Sequence, residues 1–173
     1  MWKNIPITSR NYNHQIIHYK IIHRFYLTPR KCCQLQMVTS PRCTLCSSRT
    51  VGTYMHMFWE CPRVQIFWSK VARVLSELFE IQVPCLPQIL LLNDDSTLSL
   101  PGTQKKVFFA GVTAAKKILV CRWKPPHSLS VKRWKLSFLN VLGLELSIAR
   151  TNGAKRQSID ALMHAIEMVK SHL

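Results

Sequence analysis

Apolar residues along this chain recur at intervals of three and four positions, and the strict alternation typical of strands is rare. The clearest run follows Pro62, a residue suited to the first turn of a helix, and it predicts a helix over residues 62–80. The apolar positions on its predicted buried side are Val64, Phe67, Trp68, Val71, Leu75 and Leu78. With only five glycines in the chain, this pattern predicts an all-α protein.

Five further helices are predicted from the same periodicity. The first covers residues 12–27 and closes before Thr28-Pro29, because a proline disfavours helix in the residue before it. Its predicted buried stripe is Ile16, Ile17, Ile21 and Phe25. A short helix follows in "RKCCQLQM", and the last three cover residues 104–123, 130–150 and 158–172, the middle one ending at Asn152-Gly153.

A change of direction is predicted in the middle of the chain. Pro84, Pro87 and the polar stretch "NDDSTLSLPG" are typical of a connector, which we place over residues 84–103. The connector would separate a helical, metal-binding region, residues 1–83, from a helical region with a basic face, residues 104–173.

Four residues in the first region have the spacing of metal ligands. Cys43-x2-Cys46 offers two thiolates from one turn, and His56-x4-Cys61 offers a second pair nine residues later. Four such ligands would complete a tetrahedral Zn²⁺ site and leave no position for a reactive water, which indicates a structural metal. Ordinary core packing of the cysteines and a redox dithiol are the alternatives, and Cys32-Cys33 is a substitute ligand pair. Neighbouring Met57, Phe58 and Trp59 are interpreted as core residues.

Positive charge dominates the composition. The chain has 24 lysines and arginines against 8 aspartates and glutamates, a formal net charge of +16. Such an excess favours polyanionic partners, either nucleic acid or an anionic membrane surface. No apolar stretch is long enough to span a bilayer, and no apolar signal core begins the chain. We therefore expect an intracellular protein, nuclear or cytoplasmic and not secreted, with its seven cysteines reduced.

Candidate phosphate contacts lie in three places. On the helix over 104–123, Lys106 and Lys117 are eleven residues apart and return to within about 20° of each other, flanked by Lys105 and Lys116. A solvated helix face is the alternative interpretation. The other candidates are Lys124, Lys132 and Arg133, with Lys135, around Trp134, and Lys20, Arg24, Arg30 and Lys31 near the first helix. Trp134 is expected in the core, and His18 and His23 on a polar face.

The order of these motifs resembles a known family. The order is a helix with "HYKIIHRFYLTPRK", a short helix, "CTLC" and then "MHMFWECPRVQIFW". This order resembles the zinc-binding segment after the reverse transcriptase domain of LINE-type (non-LTR) retrotransposons. The later "TAAKKILVCRWKPP" resembles the C-terminal tail of such polyproteins, especially those of fishes. The resemblance implies a Cys43, Cys46, His56 and Cys61 zinc site. It also implies an upstream reverse transcriptase domain as a partner and a role in holding RNA, and possibly DNA, during target-primed reverse transcription.

No catalytic constellation is evident. Two-metal polymerisation needs several converging carboxylates, and the only aspartates are Asp94, Asp95 and Asp160. Asp94-Asp95 has polar flanks typical of a solvated loop. The chain is therefore expected to begin downstream of both enzymatic domains and to bind RNA without enzyme activity. A decayed retrotransposon fragment and a basic membrane-surface protein are the alternative interpretations.

Overall fold

The computed structural model describes residues 11–121, 129–171 and 173. Across these residues the regular structure is helical, and one isolated antiparallel bridge, between Arg42 and Val51, is the only β pairing. The helices are α1 (Tyr12–Ile22), α2 (Pro29–Gln34), α3 (Pro62–Phe79), α4 (Pro87–Leu90), α5 (Gly102–Cys121), α6 (Val131–Thr151) and α7 (Arg156–Ser171). A π-helical turn, His56–Glu60, precedes α3. The all-α prediction is confirmed.

Helix α5 lies at the centre of the packing, against α1, α3, α6 and α7. Every residue from Val107 to Lys116 is buried. Gly111 allows the close approach of its neighbours, because a Cβ there would lie 3.0 Å from both the Leu75 and Phe138 side chains. The buried Trp134 of α6 donates a hydrogen bond from its indole nitrogen to the Gly111 carbonyl at 2.9 Å. The expectation that Trp134 belongs to the core is confirmed.

The prediction for α1 is wrong in its length and in part of its buried face, although Ile21 is buried as predicted and Ile17 packs against the core. The helix ends at Ile22, and Arg24 then adopts a left-handed conformation with a φ of 56°. This turn takes Phe25 out of the helix and leaves it 62% exposed. The buried side chains of α1 are His14, His18 and Ile21. An imidazole can be buried when it gains a hydrogen-bond partner, so apolar periodicity alone missed this face.

The other predicted helices begin within two residues of their predicted starts, and the Asn152-Gly153 end of α6 is confirmed. Helix α2 ends three residues earlier than predicted, and the ends predicted at 123 and 172 lie outside the described residues. One short helix, α4, was not predicted and lies inside the 84–103 connector. Its Ile89 and Leu90 belong to the same buried cluster as residues from α3, α5 and α6. The division of the chain at this connector stays a prediction.

Candidate metal centre and basic surfaces

The first two cysteines lie in a turn that doubles back on itself. The backbone of Cys43 donates to the Thr50 carbonyl at 2.8 Å, and Gly52 donates to the Pro41 carbonyl at 2.8 Å. Gly52 is needed at the end of this turn, because a Cβ there would lie 2.8 Å from the Pro29 ring at the start of α2. The turn therefore presents Cys43 and Cys46 while lying directly against α2.

The other two candidate ligands are brought together by the π-helical turn. Five positions separate His56 from Cys61, and in a regular α-helix that spacing would place their side chains about 140° apart. In the structure the Cys61 amide donates to the His56 carbonyl at 2.9 Å, which is the i+5 to i hydrogen bond of a π-helix. The Thr53 hydroxyl accepts from the His56 amide at 3.1 Å and fixes where the turn begins.

These two elements bring four ligand atoms into one cluster. The sulfurs of Cys43, Cys46 and Cys61 and a ring nitrogen of His56 all lie within 4.8 Å of one another. Cys46 Sγ is 3.5 Å from His56 Nε2. A tetrahedral ion with bonds of about 2.3 Å to sulfur and about 2.0 Å to nitrogen requires separations of roughly 3.5 to 3.8 Å. The cluster can therefore hold a metal ion after side-chain adjustments of an ångström or less.

The thiols of this cluster have opposite pKa shifts. Burial is the main cause that raises the pKa of the Cys61 thiol to about 11, with smaller contributions from the neighbouring Cys43 and Cys46. The hydrogen bond with Ser48 is the main cause that lowers the pKa of Cys46 to about 6. The two side chains are 2.9 Å apart. Without a metal Cys61 is therefore a neutral thiol, and a bound cation would have to displace its proton, after which the charge of the cation would offset the repulsion among the three thiolates.

All seven cysteines lie in the described part of the chain, and all are free thiols. Cys32 and Cys33 do not join the cluster. Cys33 instead points its sulfur toward the Thr39 carbonyl, 3.9 Å away. The four residues predicted from ligand spacing are thus the ones that the fold brings together. Met57 and Phe58 are buried beside them, as expected.

The predicted lysine stripe on α5 is not continuous. Lys106 and Lys117 are exposed, but Thr113 lies between them on the same side of the helix and is fully buried. Lys105 is half-buried and forms an ion pair with Asp95 at 2.8 Å. Because α1 packs against α5, this side of the helix is covered in its middle, and Lys106 and Lys117 are separated by about 16 Å along the axis.

Lys116 cannot be a phosphate contact, and that expectation is wrong. Its side chain is fully buried, with Nζ 2.9 Å from His18 Nδ1 and donating to Asn93 Oδ1 at 2.6 Å. Burial lowers the pKa of Lys116 well below its ordinary value of 10.5. Burial, followed by the charge of Lys116, lowers the pKa of His18 to about 2. The polar face expected for His18 is therefore also wrong, whereas His23 is exposed.

One basic groove, which we call the α1–α2 groove, lies beside the end of α1. It borders residues 43–61, which carry the four candidate ligands and which we call the metal-binding segment. Its volume is about 510 Å³, and none of the described residues lining it is acidic. Those residues are Arg24, Phe25, Leu27, Thr28, Arg30, Lys31, Gln34, Thr53, Tyr54 and Met55. It includes Arg24 and Arg30, two of the predicted phosphate contacts. Lys20 is exposed on the last turn of α1.

A second basic cavity, the α3–α6 cleft, was missed by sequence reasoning. It has a volume of about 500 Å³, and four cationic side chains, Arg63, Lys70, Arg73 and Lys135, line it together with apolar residues and Ser130. Lys132 and Arg133 are exposed on the first turn of α6, and Lys124 lies outside the described residues. The cleft joins residues more than sixty positions apart, so periodicity within one helix could not reveal it.

The chain matches no family model among those of known protein families. Within residues 11–121, 129–171 and 173, no helix is both long enough and apolar enough to cross a membrane.

Proposed function

We propose that this chain is a zinc-stabilised, nucleic-acid-binding module that binds RNA mainly through its phosphates and has no enzyme activity of its own. The observation that carries the proposal is the α3–α6 cleft, where four cations converge and none of the described lining residues is a carboxylate. Cations brought together along one cleft create a positive potential that attracts a polyanion. An RNA backbone supplies that charge, and a DNA backbone offers the same phosphates.

Zinc is the proposed ion for the cysteine and histidine cluster. Three thiolates and one imidazole form a soft, four-coordinate donor set that suits Zn²⁺, and four protein ligands leave no open position for catalysis. The ion would hold the Cys43–Cys46 turn against the start of α3, so its role would be to stabilise the fold.

The resemblance to the zinc-binding segment of LINE-type reverse transcriptases supports the same function. In that family the segment follows a reverse transcriptase domain, which we propose as the upstream partner, with the element's own transcript as the RNA. Asp94 and Asp95 do not resemble a polymerase site, because Asp95 pairs with Lys105 and Asp94 accepts from the Ser96 amide at 3.1 Å. Both side chains are occupied in stabilising the turn before α5.

The arrangement of charges suits a polynucleotide better than an isolated phosphate. Arg63 and Lys70 are seven residues apart on α3, which places them about 10 Å apart along the helix axis. Lys135 faces them from α6. Glu77 lies 3.9 Å from Arg73, but both side chains are largely exposed and the pair is weak. The cations of the cleft are therefore far enough apart to contact more than one phosphate of the same strand.

The salt dependence of RNA affinity tests the proposal. Each phosphate neutralised on single-stranded RNA contributes about −0.7 to the slope of log affinity against log salt. Replacing both Arg63 and Lys70 with glutamine should therefore reduce the magnitude of the slope by about 1.4. The matched control replaces Lys155 and Arg156, an exposed Lys-Arg pair at the start of α7. Its slope should stay that of the native chain.

Two outcomes would contradict the proposal. In the first, the intact chain fails to bind RNA or DNA at low salt. In the second, the chain binds vesicles that contain anionic lipid and does not bind RNA, and the Arg63→Gln, Lys70→Gln variant no longer binds the vesicles. That result would favour a membrane-surface protein. If the slope of log affinity against log salt is the same for the cleft variant and the control, the cleft does not contact the RNA.

A further inference from the structure

We propose that the α1–α2 groove is a pocket for one unpaired nucleotide of a single-stranded nucleic acid, with the base against Phe25 and the adjoining phosphate near Arg24 and Arg30. This inference rests on the proposed nucleic-acid function. It locates the site at which the protein would distinguish a single strand, whose bases are free to stack, from a duplex. The sequence indicated its cations as candidate phosphate contacts but not its aromatic ring, because Phe25 was expected in the core.

Phe25 provides an exposed and oriented ring. It is 62% exposed, although most phenylalanines of a folded protein are buried. One side of the ring is occupied by neighbours, with ring centroids 6.0 Å away at Tyr19 and 5.9 Å away at His23. These contacts restrict its rotation and leave apolar surface facing solvent. A rigid exposed aromatic ring is the platform on which unpaired bases stack in proteins that bind single strands.

The groove places both apolar and cationic side chains near this ring, and a nucleotide has a base and a phosphate to match them. Leu27 and Met55, 41% and 39% exposed, extend the apolar wall. Three cations, Arg24, Arg30 and Lys31, line the same groove, and no acidic side chain does so among the described residues. The volume of about 510 Å³ falls within the roughly 300–1,000 Å³ typical of small-ligand sites. An apolar wall bordered by cations fits a base with its phosphate.

The groove is built onto the metal-binding segment. Thr53, Tyr54 and Met55 form one wall and directly precede the candidate ligand His56. The Tyr54 hydroxyl donates to the Ile21 carbonyl at 2.8 Å and ties this wall to the end of α1. The Arg30 amide donates to the Gly52 carbonyl at 3.2 Å and ties α2 to the same segment. A metal that fixes the segment would therefore keep the groove open before a strand binds.

Binding of short RNA probes to the intact, zinc-loaded chain tests the inference. Phe25→Ala should weaken binding of an unstructured single strand by about fivefold or more, the loss expected for one stacked base. Binding of a duplex with the same number of phosphates should not change. The matched control is Tyr12→Ala, which removes an exposed aromatic ring at the start of α1, outside the groove, and should bind both probes as the native chain does.

A single strand that carries abasic sites sharpens the test. The native chain should bind this strand about as weakly as Phe25→Ala binds the intact strand, and Phe25→Ala should lose little further affinity for it, because both changes remove the same contact. Zinc content and thermal unfolding of Phe25→Ala, measured alongside, should match those of the native chain, since the ring is exposed.

Each other outcome has a distinct meaning. If Phe25→Ala binds the single strand as tightly as the native chain does, the nucleotide pocket is wrong while the proposed RNA-binding function stands. If the native chain binds neither probe, the proposed function fails and the pocket fails with it. If Phe25→Ala no longer binds anionic vesicles that the native chain binds, and its RNA binding is unchanged, the groove contacts a membrane and the inference is overturned.

Discussion

Single residues decide how the candidate metal centre is assembled. Cys61 reaches His56 because a π-helical turn, His56–Glu60, replaces the α-helical pattern just before Pro62. Cys43 and Cys46 come from a turn whose last residue, Gly52, must lack a side chain beside Pro29. All four ligands fall within nineteen residues, so their spacing in the sequence was enough to predict their proximity. The π-helical turn that makes the proximity possible has no comparable sequence signal.

Lys116 shows what residue patterns did not predict. Its partners are distant in sequence: the packing of α1 against α5 brings His18 to it, and the connector after α4 brings Asn93. A helical wheel for α5 alone placed Lys116 beside Lys105, Lys106 and Lys117 on an exposed face. The unbroken run of small and apolar residues before it was the available signal, because a helix that is apolar all round is buried on every side.

A pH-dependent stability should result from this burial. The pKa of Lys116 is lowered in the folded state, so the unfolded state binds more protons, and the free energy of unfolding should rise with pH toward the unfolded pKa of about 10.4. Lys116→Met removes this titration. Denaturant unfolding between about pH 7 and pH 10 should show the native chain gaining stability relative to Lys116→Met.

The adjacent lysine gives the control for this measurement. Lys117 is exposed, so Lys117→Met should give a stability profile parallel to that of the native chain. Parallel profiles for the native chain and Lys116→Met would contradict the account, because they would mean that Lys116 keeps its ordinary pKa in the folded protein. Lys116→Met should also cost about 1–3 kcal/mol at high pH, since Asn93 Oδ1 loses a buried donor.

At the scale of elements, α5 organises the molecule by touching four other helices. Its start was predicted to within two residues, because it depends on local signals such as the polar connector before it and the apolar run that follows. Its central position was not predicted, because that depends on which helices pack against which sides. For the same reason the α3–α6 cleft escaped detection, since Arg63 and Lys135 belong to separate elements whose contact is a tertiary property.

Two glycines test the packing of these elements. Gly111→Ala should destabilise the protein by about 1–3 kcal/mol, because the new methyl group would crowd Leu75 and Phe138. Gly143→Ala in α6 is the matched control, since its Cβ would meet no atom within 4 Å. There the gain in helix propensity should stabilise the protein by up to about 1 kcal/mol. Thermal unfolding of both variants measures the difference, and similar effects in both would contradict the central placement of α5.

At the scale of the whole molecule, the candidate metal centre adjoins both basic surfaces. The sixteen excess positive charges are too many to be neutralised within the chain, and the described structure places three of them in the α1–α2 groove and four in the α3–α6 cleft. The metal-binding segment forms a wall of the first, and Cys61 leads directly into the helix that carries most of the second. A structural ion would therefore support both surfaces from one position.

Metal content is the measurement that tests this account most directly. Elemental analysis of the purified chain, produced with zinc and under reducing conditions, should find about one zinc per chain. Cys61→Ser should lose the metal, while Cys85→Ser, which changes an exposed cysteine outside the cluster, should keep it. A native chain without zinc, or full zinc retention in Cys61→Ser, would contradict the account.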